Sequence, residues 1–93
     1  MANTWTGNNY SIDTAEDKTI TCKLDRMIWY PAAADNDLVV KDSLGNILWV
    51  TRAITGAPNY ESSGAEYIND LDKWVNGINV ETIDGGVLKI YVK

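Results

Sequence analysis

The segment Val87-Leu88-Lys89-Ile90-Tyr91-Val92-Lys93 constrains the fold more than any other. It sets Leu88, Ile90 and Val92 on one face and Val87, Lys89, Tyr91 and Lys93 on the other. Alternation of period two marks a strand with one face against a core. Ile78-Asn79-Val80-Glu81-Thr82 alternates in the same way. Between the two lies Ile83-Asp84-Gly85-Gly86, whose Asp-Gly and Gly-Gly pairs suit a backbone turn with positive φ. The pattern predicts a terminal β-hairpin.

A second hairpin is expected from Asp37–Lys41 and Asn46–Arg52, joined through Asp42-Ser43-Leu44-Gly45-Asn46, where Gly-Asn supplies a left-handed position. With Leu38 and Val40 toward the core, Val39 and Lys41 face out. On the second strand Ile47 and Trp49 share one face, with Leu48 and Val50 on the other. Both faces of this hairpin are then apolar. An antiparallel sheet with one wet face is ordinarily polar on that side, so a second covered surface is implied.

Upstream, Lys18 to Tyr30 reads as one long strand, or as two with a bend. Ile20, Cys22, Leu24, Ile28 and Tyr30 share a face interrupted by Arg26, and Thr19, Thr21, Lys23, Asp25, Met27 and Trp29 form the other. Pro31 has no amide hydrogen and ends the ladder. Tyr67–Val75 fits a short helix or a strand equally well, and Asn76-Gly77 closes it. The sum is an all-β chain of six to seven strands, an antiparallel β-sandwich or small barrel, with the sandwich preferred. It is expected as a single domain over 1–93, with an N-terminal arm over about 1–17 and a long loop over about 54–67.

Ninety-three residues, 45% apolar and 23% charged, suffice for one core. Lys and Arg number 8 against 13 Asp and Glu, a net charge of −5, and the basic residues are scattered. Affinity for nucleic acid comes mostly from neutralising phosphates, so a nucleic-acid partner is not expected. No apolar run approaches the roughly 20 residues that span a bilayer, and Met1–Gly7 has neither a positive region nor an apolar stretch. A soluble protein made in a cytosol, with no membrane partner, is the expectation.

Catalysis near neutral pH calls for a group that exchanges protons there, or an activated nucleophile. The chain has no His, and its one cysteine, Cys22, alternates with Ile20 and Leu24 as a small buried hydrophobe does. The carboxylate pairs Glu16-Asp17, Asp35/Asp37, Glu61/Glu66 and Asp70/Asp72 fall in turns and edges, where acids are solvated. Asp35, Asn36, Asp37 and Asp42 are oxygen donors, yet their spacing is not that of a calcium loop. No catalytic residue, metal or cofactor is expected.

Nine aromatic residues, four Trp and five Tyr with no Phe, remain to be housed. One small core does not hold them all, and Trp and Tyr suit interfaces because each joins a large apolar ring to a polar tip. A binding role follows, with candidate partner contacts at Trp5 and Tyr10 in the arm, Pro58, Tyr60 and Glu61 in the long loop, and Trp29 and Trp74.

Three motifs, the Asp42-Ser43-Leu44-Gly45-Asn46 turn, Trp74-Val75-Asn76-Gly77 and Asp84-Gly85-Gly86 before the last strand, together with Met27-Ile28-Trp29-Tyr30, resemble those of small virion accessory proteins of tailed bacteriophages. The likeness runs over most of the chain after Lys18, and its motifs are fold motifs, so it carries no catalytic residue. It implies a capsid decoration or cement protein that binds the major capsid protein on the assembled shell and forms a homotrimer at local threefold positions. The implied location is the virion surface, after synthesis in the host cytoplasm. A receptor- or carbohydrate-binding module of a tail or fibre is the second reading.

Overall fold

A computed structural model describes residues 3–57 and 64–93. Among these residues nine strands, where six to seven were expected, run β1 (Asn9–Ile12), β2 (Glu16–Lys18), β3 (Cys22–Tyr30), β4 (Asp37–Lys41), β5 (Ile47–Arg52), β6 (Glu66–Ile68), β7 (Lys73–Val75), β8 (Ile78–Ile83) and β9 (Val87–Val92). They form two antiparallel sheets. The first has the order β1-β9-β3-β6, with β7 also paired to β3, and the second has the order β2-β8-β4-β5. The all-β expectation holds, as a small β-sandwich. The chain changes sheet at every connection except β4–β5 and β6–β7.

The core lies where the two inner faces meet. Ile12, Leu24, Met27, Trp29, Leu88 and Ile90 come from the first sheet, and Leu38, Val40, Ile78 and Val80 from the second, all fully buried. Apolar burial at about 25 cal/mol per Å² is the dominant favourable contribution in a core of this kind. Pairing Leu88 with Ile12 and Trp29, and Ile90 with Tyr10 and Met27, aligns the inward residues of three neighbouring strands.

Several expectations are corrected. β8 and β9 do not pair with each other. β8 bonds β2 and β4, and β9 bonds β1 and β3, so Asp84-Gly85-Gly86 is a corner between sheets, not a hairpin loop. Its turn chemistry was still legible, since Gly86 has φ +81. Alternation reports that one face of a strand is buried but not which neighbour it bonds. The expected arm contains β1 and β2, tied further by the backbone pair Thr4 and Ser11 at 2.8 and 2.9 Å. Lys18 to Tyr30 is divided between the sheets, and Tyr67 to Val75 contains β6 and β7, with no helix.

β3 carries the correction with most consequence. Leu24 pairs with Val92 and Arg26 with Tyr91, which leaves Asp25 as an extra residue in the ladder. A β-bulge of this kind shifts the side-chain phase by one. Cys22 and Leu24 face the core before the bulge, and Met27 and Trp29 face it afterwards. Trp29 is therefore wholly buried rather than a partner contact.

The β4–β5 hairpin forms as expected, closed by the Asp42 carboxylate, which accepts from the amides of Leu44 and Asn46 at 2.9 Å each. Here too a bulge breaks the alternation. Val40 pairs with Trp49 and Lys41 with Ile47, leaving Leu48 extra. Leu48 and Trp49 both pack against the core, while Ile47 and Val50 remain exposed. This β5 pattern replaces the two clean faces read from sequence.

Candidate binding surfaces

The bulge at Asp25 builds the more aromatic of two exposed surfaces. β6 pairs with β3 over Met27–Trp29, and β7 pairs with it over Cys22–Leu24, so two three-residue strands share one side of β3. Between them Leu71 donates its amide hydrogen to the Asp25 carbonyl at 3.0 Å. The turn passes through positive φ at Asp70 and Asp72, 58° and 43°, a region that Asp tolerates better than most residues. The Asp72 carboxylate then bonds Lys93 at 2.9 Å and Lys23 at 3.0 Å, fixing the start of β7 to its neighbours. These bonds to Lys93 and then Lys23 hold the Asp72 carboxyl below the usual range.

Trp74 stands opposite Lys23 in the ladder and Tyr67 opposite Ile28. Lys23 and Ile28 lie on the side of β3 turned away from the core, so both aromatic rings project from the outer face. They are 66% and 64% exposed. Between them Arg26 covers the Tyr91 ring, 4.4 Å from its centroid. The face combines aromatic rings with a guanidinium engaged in a cation–π contact.

The second surface is the outer side of the other sheet. Val39 opposes both Val50 and Thr82 there, over a shallow hollow of about 520 Å³. Arg52 bonds Asp37 through both nitrogens of a fork, at 2.7 and 3.2 Å, and Lys41 bonds Glu81 at 2.7 Å. The Arg52 bond keeps the Asp37 carboxyl below its ordinary range.

Of the described residues expected at a partner contact, Trp5, Tyr10, Trp29 and Trp74, only Trp74 is well exposed. Tyr10 is 5% exposed and packs in the core, because it shares the inner face with Ile90. Trp5 is half-buried, its ring tilted against Tyr10 at 5.5 Å and its Nε1 donating to Glu16 Oε1 at 2.9 Å. That indole and the Asn3 amide, bonded to the same oxygen at 2.8 Å, anchor the amino-terminal segment. Pro58, Tyr60 and Glu61 lie outside the described residues. Tyr67 was missed as a contact because its segment fitted helix and strand alike. Pairing with Ile28, not any local signal, turns it outward.

Several of the acids singled out in the sequence have structural partners. Glu16 anchors Asn3 and Trp5, Asp37 holds Arg52, Asp42 closes its turn, and Glu66 accepts from Thr51 at 3.3 Å. Among the described residues no three of Cys, Asp and Glu gather as metal ligands. The chain matches no protein-family model, no curated protein and no solved structure.

Proposed function

We propose that this chain is a binding domain without catalytic chemistry, acting as a capsid cement or decoration protein of a tailed phage. In this reading it binds the major capsid protein of the assembled shell and stabilises it at the virion surface. The single observation that carries the binding role is the outward projection of Trp74 and Tyr67 from one sheet face. Large rings of this kind are the residues that anchor protein interfaces, and a sheet bonded on both sides of β3 holds them with little left to order. The location on a phage capsid rests on the resemblance of the turn motifs. Pro58, Tyr60 and Glu61 remain further candidate contacts.

Co-sedimentation with mature, expanded capsids tests the proposal. Saturable binding that weakens at least tenfold in Trp74→Ala is the expected result; a tenfold loss corresponds to about 1.4 kcal/mol. The same two rings also favour the second reading, since exposed aromatic faces stack on sugars. Retention on a glycan column, with no capsid binding, would replace the cement role by a carbohydrate-binding module of a tail or fibre.

A further inference from the structure

The edge of the second sheet at β5 is apolar where solvent-exposed edges are ordinarily guarded by charge, proline or a covering element. Among the described residues six large apolar side chains stand exposed, and Leu44, Ile47, Val50 and Ile54 are four of them. All four lie on β5 or in the turns at its two ends. The only strand paired with β5 among the described residues is β4.

The backbone of this edge has a definite direction. Ala53 donates to the Asn36 carbonyl and accepts from the Asp35 amide, both at 2.9 Å, so its two polar groups point toward the β4 side. Asp37, opposite Arg52, instead exchanges backbone and carboxylate bonds with Asp84 on its far side. The bonding direction alternates residue by residue in an antiparallel strand. Arg52 and Val50 therefore aim their N–H and C=O groups outward, away from β4. They are two residues apart, the spacing at which a twofold axis beside Thr51 sets Val50 of one copy against Arg52 of another. Each such pair exchanges two backbone bonds.

We infer that β5 is a self-pairing edge, joining two copies of this chain in an antiparallel dimer through Val50 and Arg52. Two charges on the rim of the patch are paired locally, Arg52 with Asp37 and Lys41 with Glu81, which lessens the repulsion between two copies of a chain that carries −5. An isologous contact needs a patch complementary to itself, and the outward ladder at Val50 and Arg52 meets that condition. The contact is twofold, in place of the threefold arrangement the resemblance implies, and is independent of what Trp74 and Tyr67 bind.

Light scattering and amide hydrogen exchange on the full chain, over a concentration series up to roughly 1 mM, test this directly. The expected result is a mass that rises to twice the monomer, with exchange at Val50 and Arg52 slowing as the dimer fills. Val50→Lys, at a side chain already half exposed, should stay monomeric, and Trp74→Ala should dimerise as the wild type does. A monomer throughout the series overturns the inference, as does a trimer. So does a dimer in which the Val50 and Arg52 amides exchange as fast as in the dilute protein, a readout that stands even where Val50→Lys does not fold.

Discussion

Trp29 donates its indole hydrogen to the carbonyl of Gly85 at 3.0 Å, across 56 positions of sequence. The ring belongs to the central strand of one sheet, and the carbonyl to the corner through which the chain leaves the other. At the same corner Asp84 accepts from the Asp37 amide at 2.8 Å and donates its own amide hydrogen to the Asp37 carbonyl at 3.1 Å. Both sheets are thus bonded to one short turn.

Two substitutions separate the bond from the ring. Trp29→Phe keeps most of the apolar volume and leaves the Gly85 carbonyl without its donor, so a loss of about 1–3 kcal/mol is expected. Trp29→Ala also opens a cavity and should cost about 3–5 kcal/mol. Urea unfolding at constant m measures both. A Trp29→Phe loss near zero would mean that the bond contributes nothing beyond the ring, and equal losses that the ring contributes nothing beyond the bond.

Two of the three described glycines with positive φ, Gly45 and Gly86, should respond differently to the same change. Gly45 has φ +88 and no atom within 4 Å of an added Cβ, so Gly45→Ala meets only the left-handed backbone cost, about 1 kcal/mol. Gly86 has φ +81, and its Cβ would overlap the Tyr30 carbonyl oxygen and come within 2.8 Å of Pro31 Cα. Both obstacles are backbone, so Gly86→Ala should lower the thermal midpoint far more than Gly45→Ala does.

These elements show what the sequence made legible. Alternation identified strands and their buried residues at Leu88, Ile90, Leu38 and Val40, and turn chemistry located Gly45 and Gly86. Which strands pair was hidden, because β8 and β9 find better neighbours than each other and nothing local records that. The phase of β3 was hidden for another reason. One extra residue at Asp25 inverts everything after it, so Trp29 read as a contact and is core, while Trp74, named with it only because nine rings exceed one small core, is outward because it stands opposite Lys23.

Acid should weaken the fold. Bonds from Lys93 and Lys23 depress the Asp72 carboxyl, one from Arg52 depresses Asp37, one from Asn46 depresses Asp42, and those from Asn3 and Trp5 depress Glu16. A carboxyl that ionises more readily when folded stabilises the fold above its unfolded pKa, and that contribution is lost as pH falls through the folded value. Thermal midpoints should hold near neutrality and decline as pH passes down through and below the ordinary carboxylate range. Lys93, raised by Asp72, has the opposite sign, and its contribution fades only at strongly alkaline pH. Asp72→Asn should flatten the acid decline, and added salt should shrink the difference because these groups are at the surface.

Cys22 is buried beside Tyr10, and burial pushes its thiol upward in pKa. Reaction requires the thiolate, so a disulfide reagent should modify the folded protein only through opening. The labelling rate should rise by orders of magnitude on adding urea past the unfolding midpoint. Rapid labelling of the native protein at neutral pH would contradict the burial of Cys22 beside Tyr10.

The bulge itself can be removed. Deleting Asp25 leaves Leu24, Arg26 and Met27 in simple alternation, with Leu24 and Met27 still inward and each opposite its present partner on β9. The β3–β9 ladder should therefore survive. What goes is the carbonyl that accepts from Leu71, and with it the offset that lets β6 and β7 pair with different parts of β3. Asp25→Ala keeps that carbonyl and should change stability by less than about 0.5 kcal/mol, as surface substitutions usually do. The deletion should instead free β6 and β7 while sparing the centre of the sheet. Amide exchange would then quicken at Tyr67, Leu71 and Trp74 but not at Ile90, and the fluorescence of exposed Trp74 would lose its fixed orientation. Uniform loss of protection through β9 would show that the bulge holds the whole sheet rather than the aromatic face alone.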